Sequence, residues 1–121
     1  MEDDLMALMA GVTCFWGAAP QESDRPYIVL RLISQQRDVT TDGFRPGLVR
    51  SRVQADCYGL SPGGSADLAD RAIQSVEGRR VGRFQAILID QIRDISGSDA
   101  MNDSLGVAHR RVVDLMIYHT A

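Results

Sequence analysis

The chain has 121 residues, 45% of them hydrophobic and 24% charged, with a net charge of −3. That is enough chain to bury one core without disulfide or metal staples, and its composition is ordinary for a globular protein, which excludes disorder as the main state. The acidic balance, with a pI near 5.2, excludes a globally basic nucleic-acid binder and leaves room only for a local basic patch.

Residues 1–121 read as one domain. All thirteen basic side chains are arginine, and thirteen of the sixteen acids are aspartate. Two causes stay open at this level: GC-rich coding, or use of the forked guanidinium to pair carboxylates at subunit contacts. Cys14 and Cys57 lie far apart and outside any Cys-x-x-Cys pair. They read as reduced core thiols of a protein made in the cytoplasm, with a single disulfide as the alternative. The longest apolar stretch, Tyr27 to Ile33, is interrupted by Arg31 and is too short to span a bilayer. The start, Met1-Glu2-Asp3-Asp4, is acidic where a signal peptide is basic, so neither secretion by that route nor membrane anchoring is expected.

In chain order, residues 2–10 predict a short helix with three acids at the positive end of its dipole. Leu5, Leu8 and Met9 share its apolar face, and Gly11 ends it. Residues 12–26 read as an irregular connection in which Phe15 and Trp16 cap the core or meet another subunit. A strand over about 27–37 carries Ile28, Leu30 and Leu32 on one side and Val29, Arg31 and Ile33 on the other. A second strand, about 48–58, alternates cleanly. Val49, Ser51, Val53, Ala55 and Cys57 lie inward; Arg50, Arg52, Gln54, Asp56 and Tyr58 lie outward. The two form a long hairpin whose tip spans 38–48.

Ser61-Pro62-Gly63-Gly64 reads as a turn. The next helix, about 65–77, has Ser65 as N-cap, an apolar face of Ala69, Ala72, Ile73 and Val76, and Gly78 as the residue beyond its end. A third strand over about 82–95 and a fourth over about 106–119 flank a second polar tip, 96–105. Val107, His109, Arg111, Val113, Leu115, Ile117 and His119 fall on one side of the fourth strand. The predicted fold is α+β: a four-stranded antiparallel sheet in the order α-β-β-α-β-β, with helices packed on one face.

Catalytic chemistry is hard to place. There is no phosphate-binding Gly-x-x-x-x-Gly-Lys-Ser/Thr loop and no Gly-x-Gly-x-x-Gly after a strand. There is no zinc-ligand cluster, and His109 and His119 sit ten residues apart on one strand, about 33 Å when extended. Both histidines read as edge or surface residues. Cys57, on the inward side of its strand, reads as inert. Asp90 and Asp94 share a strand side with Leu88 and Ile92 and are placed to meet arginines of a neighbouring strand or subunit. Arg31, Arg50 and Arg52 form either a basic stripe or an ion-paired sheet face. No catalytic residue, cofactor or metal is expected, and the chain does not read as an enzyme.

Several segments carry a resemblance. Pro26-Tyr27-Ile28-Val29, Val53-Gln54-Ala55-Asp56-Cys57-Tyr58-Gly59, Ala66-Asp67-Leu68-Ala69, Ile89-Asp90-Gln91-Ile92-Arg93-Asp94 and the closing Tyr118-His119 resemble, in order and spacing, the tail-completion family of siphophages and prophages. Phage-derived gene transfer agents use similar proteins. The resemblance implies a tail terminator, a virion protein of the neck at the head–tail junction. Copies would form a hexameric ring that caps the head-proximal end of the tail tube and joins it to the head connector. The implied partners are further copies of the chain, the tail tube protein and the connector or stopper protein. DNA would pass through the ring without specific binding, which an acidic subunit favours.

No family motif marks individual contact residues, so these are assigned by segment. The two hairpin tips are the expected contact elements, with Asp38, Asp42, Phe44 and Arg45 in the first and Asp99, Met101 and Asp103 in the second. The alternatives are another neck component such as a head-completion or stopper protein, and a nucleic-acid-binding module using Arg50 and Arg52. A small hydrolase or nucleotide-binding enzyme would need a convergent polar pocket that the sequence does not announce.

Overall fold

A computed structural model describes residues 2–9, 11–18, 20, 26–39, 46–96 and 109–120; at 38, 39, 46–48 and 96 it describes the backbone only. The elements are α1 (Glu2–Leu8), β1 (Cys14–Trp16), β2 (Tyr27–Val39), β3 (Pro46–Gly59), α2 (Pro62–Val76), β4 (Phe84–Ser96) and β5 (His109–His119). The strands form one five-stranded sheet in the order β1-β2-β3-β5-β4.

The sheet is mixed, which corrects the four-stranded antiparallel expectation. The added strand is β1, formed by residues read from sequence as irregular. It runs parallel to β2 over Cys14↔Ile28, Phe15↔Val29 and Trp16↔Leu30. Three residues are too few to show alternation, so only the pairing reveals the strand. Gly17, at a φ of 87°, follows it, and its N–H donates to the Leu30 carbonyl at 2.8 Å. The remaining pairs are antiparallel, and α2 carries the chain from β3 across β5 to β4.

The clean alternation of β3 becomes the core. Val49, Ser51, Val53, Ala55 and Cys57 are all buried. Most of this inward set joins Ile28, Leu30, Ile87, Val113, Leu115 and Ile117 against Leu5 and Met9 from the α1 region and Leu68, Ala69, Ala72 and Val76 of α2. Both helices therefore lie on one face of the sheet, as expected. Fully burying a side chain of the Leu or Val class contributes about 1.5–3 kcal/mol, so α1, too short to persist alone, is held by Leu5 and Met9.

The start of α2 differs from the sequence reading. Its N-cap is Ser61, whose Oγ accepts from the Gly64 N–H at 2.9 Å. Pro62 occupies the first helical position, where its missing N–H costs nothing. Ser65 is instead a buried helical residue whose Oγ donates to the Pro62 carbonyl at 2.9 Å. At the other end Gly78 adopts a φ of 72°, as the C-terminal signal required, and its N–H donates to Ile87 of β4 at 2.9 Å.

The first turn of α2 lies directly on the end of β3. A Cβ on Gly59 would stand 2.3 Å from the Ser65 nitrogen and 2.8 Å from the Gly64 carbonyl carbon. Both obstacles are backbone, so the helix would have to move. Gly59→Ala is expected to destabilise the fold by about 3 kcal/mol, the upper end of ordinary overpacking. Ser61→Ala, which only removes the cap, is expected to cost about 1 kcal/mol. Denaturant unfolding of the two variants should rank them in that order.

Candidate functional site: the helix-free sheet face

Among the described residues no helix covers the second face of the sheet, yet part of it is dry. Val29, Asp56 and Val112 form one cross-strand row, and all three are buried. Arg31, Gln54 and Arg110 converge on the middle of this row, and the apolar stems of such long side chains can shield it while their charged ends stay outward. Asp56, with 0% exposure, sits between Arg31 at 3.8 Å and Arg110 at 4.0 Å. Gln54 Nε2 donates to Asp56 Oδ1 at 2.8 Å, while Oδ2 has no hydrogen bond of its own. Beside it Tyr58 packs on Tyr27 with 5.1 Å between centroids, Tyr27 meets Phe15 edge-on at 5.8 Å, and Arg110 lies 5.9 Å over the Tyr58 ring.

Further ion pairs extend across the same face. Arg93 reaches Asp114 at 3.4 Å, and Arg52 reaches Asp90 at 2.7 Å. Arg50 donates to Gln36. The supposed basic stripe is thus an ion-paired face, with carboxylates or amides set against its guanidiniums. The arginine–aspartate composition works within the chain here, whatever it does between chains.

Two sequence readings need correction. Asp90 and Asp94 do not share a side. The register steps between Ile89↔Leu115 and Gln91↔Asp114, which leaves Asp90 as an extra residue in a β-bulge. Asp90 therefore meets Arg52 on the helix-free face. Asp94 lies on the helix side, held by the fork of Arg111 at 2.6 and 3.0 Å. The hydrogen bonds from Arg111 hold the Asp94 carboxyl below its usual range.

The histidines are not edge residues either, because β5 is an interior strand. His119 is buried; its Nδ1 donates to the Thr120 carbonyl at 2.8 Å, and its Nε2 meets Ser51 Oγ at 2.8 Å. Gln35 Nε2 donates to the same hydroxyl at 3.0 Å. This Ser51–His119 pair was missed in the sequence. It has a backbone carbonyl, not an acid, behind the histidine, and both side chains are buried, so it reads as a satisfied core network. Among the described residues no cluster of His, Cys, Asp and Glu is arranged to hold a metal ion. Nor is any helix long and apolar enough to cross a membrane.

The family model described as tail completion protein gp17 matches residues 2–120. The chain belongs to that family. It is a structural component of a phage tail, and its partners are other tail components of the virion. No curated protein matches the chain.

Of the predicted contact residues, Asp38 lies on β2, where only its backbone is described; Asp42, Phe44, Arg45, Asp99, Met101 and Asp103 lie outside the described residues. Pairing of Val39 with Pro46 shows that the first hairpin is paired further toward its tip than expected.

Both cysteines are free thiols, as read from the sequence; Cys14 is half-buried and Cys57 buried. Burial, followed by the neighbouring Asp56, pushes the Cys57 thiol up to about 12. Almost none is thiolate at pH 8, so Cys57 should resist iodoacetamide in the native protein and react once the chain unfolds. Mass spectrometry of the labelled protein reads this directly.

Loss of the buried carboxylate should also be measurable. Asp56→Ala leaves Arg110 and Gln54 facing an apolar row, and is expected to cost about 1–3 kcal/mol. That falls below a fully buried pair because both arginine side chains are partly exposed, Arg31 more than Arg110. Asp90→Ala, which breaks an exposed pair, should cost under about 0.5 kcal/mol by the same unfolding measurement.

Proposed function

We propose that this tail completion protein is the tail terminator. Copies close into a hexameric ring on the head-proximal end of the tail tube, stop its growth and join it to the head connector. The observation that carries this reading is the helix-free sheet face. It is broad and held in place by internal ion pairs around a buried Asp56, which suits docking on another protein. The role is mechanical, without a catalysed reaction. DNA passes the ring without specific binding: the chain is acidic, and Arg31, Arg52, Arg93 and Arg111 already face carboxylates of the same chain. The two hairpin tips reach toward the tube or a neighbouring subunit.

Cryo-electron microscopy of particles from the source genome tests the assignment. A six-fold ring of this chain between tube and connector is the expected result. The chain on the connector side, away from the tube, would make it a stopper; absence from every particle would end the neck assignment.

The tip is tested separately. Replacing residues 40–45 with Asn-Gly shortens the connection between the paired Val39 and Pro46. Loop closure changes by only about 0.6 kcal/mol per halving of length, so the unfolding midpoint should barely move while infectious particles are lost. Normal titres from this variant would remove the tip from the contact.

A further inference from the structure

Among the described residues the sheet ends in two different unpaired edges, and each carries exposed apolar side chains. β1 covers only Ile28 to Leu30 of β2, so from Arg31 to Val39 the outer edge of β2 has no partner among the described residues. At the opposite side β4 is the last strand along its whole length. Of the six large hydrophobic side chains exposed among the described residues, four lie on these two strands. Leu32 and Ile33 on β2 are 41% and 51% exposed, and Leu88 and Ile92 on β4 are 50% and 48% exposed. An edge strand left open in a monomer is ordinarily blunted. Bulges at Ile33 and Asp90 do this in part, but each is flanked or occupied by apolar side chains.

We propose that the free length of β2 in one copy of this chain pairs with β4 of the next copy, so that the sheet continues from subunit to subunit. This rests on the ring reading above and names the surfaces that close it. A contact between two different surfaces propagates by rotation, as a ring requires.

Strand direction agrees. β2 and β5 run one way and β3 and β4 the other, because each adjacent pair in this part of the sheet is antiparallel. Copies that keep their helices on one common side therefore set β4 antiparallel to the neighbour's β2.

The faces agree as well. Leu32 pairs with Val53, and Ile92 with Val113, so both lie on the helix side, where contact would extend the core. Arg31, paired with Gln54, lies on the other face and is already held by Asp56 of its own chain, so the exposed apolar side chains of the two edges carry the contact.

Cross-linking in assembled tails tests the pairing. Leu32→Cys and Ile92→Cys are placed singly and together in particles and treated with a short bis-maleimide. Both sites are exposed, and circular dichroism with thermal melting confirms that each variant folds. The double variant is expected to give a ladder ending in one closed species; each single variant, like the parent with Cys14 and Cys57, should stay monomeric.

Dimers from Ile92→Cys alone would mean that two β4 edges pair with each other, and would overturn the proposal. Monomers from the double variant, in particles that hold the chain in a ring, would overturn the edge pairing and leave the ring reading intact. Absence of the parent chain from particles would remove both. As a second approach, Ile92→Glu should block incorporation, and adding Leu32→Arg should restore it at least tenfold. Normal incorporation of Ile92→Glu alone would count against the pairing.

Discussion

The register of β3 is the constraint on which the rest of the structure depends. This strand is paired on both sides, to β2 and to β5. Its inward set holds the helices, and its outward set carries Asp56 and Tyr58. A slip of one residue would exchange the two sets. Asp56 would then enter the apolar layer beneath α2, away from Arg31 and Arg110, where an unpaired carboxylate is very unfavourable. The buried acid thus acts less as a source of stability than as a penalty on the wrong register. Gly59 adds a second pin. Only glycine at that position lets the first turn of α2 rest on the strand end, so the helix too is locked to one register.

From this strand the helix-free face follows. The Arg and Gln side chains that fold over Val29, Asp56 and Val112 do what a second layer of helices does elsewhere: they exclude water from the middle of the sheet. They do so while keeping charge at the surface, which leaves the face polar. Such a face is suited to meeting a protein surface and poorly suited to enclosing a small substrate, because its depression between Ser34, Gln36, Arg50, Arg52 and Met116, of about 170 Å³, is smaller than the roughly 300–1,000 Å³ of a small-molecule site.

What was legible in the sequence was what depends on period. The inward set of β3, the apolar stripe of α2 and the φ demand at Gly78 are local patterns, and the structure follows each. What was not legible depends on neighbours or on breaks in period. Ser61 and Ser65 both precede helical residues, and only the missing N–H of Pro62 favours the earlier cap. β1 is too short to alternate. The bulge at Asp90 reverses the facing of every later residue in β4, so an unbroken alternation puts Asp90 and Asp94 on one side. Ser51 and His119 each fell on an inward set, but their contact requires β5 to lie beside β3. Chain order alone does not supply that adjacency, since β4 comes between them in sequence.

The brevity of β1 has its own consequence. Cys14 and Trp16 pack toward the core, and Phe15 joins Tyr27 on the opposite face. Three residues therefore suffice to finish both sides of the sheet at that end. Beyond Trp16 the left-handed Gly17 makes one last bond to Leu30. A longer β1 would have gone on to pair the rest of β2 and cover Leu32 and Ile33. Among the described residues that edge is left open by the same turn that completes the core, so the packing of the chain on itself and the edge proposed for pairing make separate demands on the sequence.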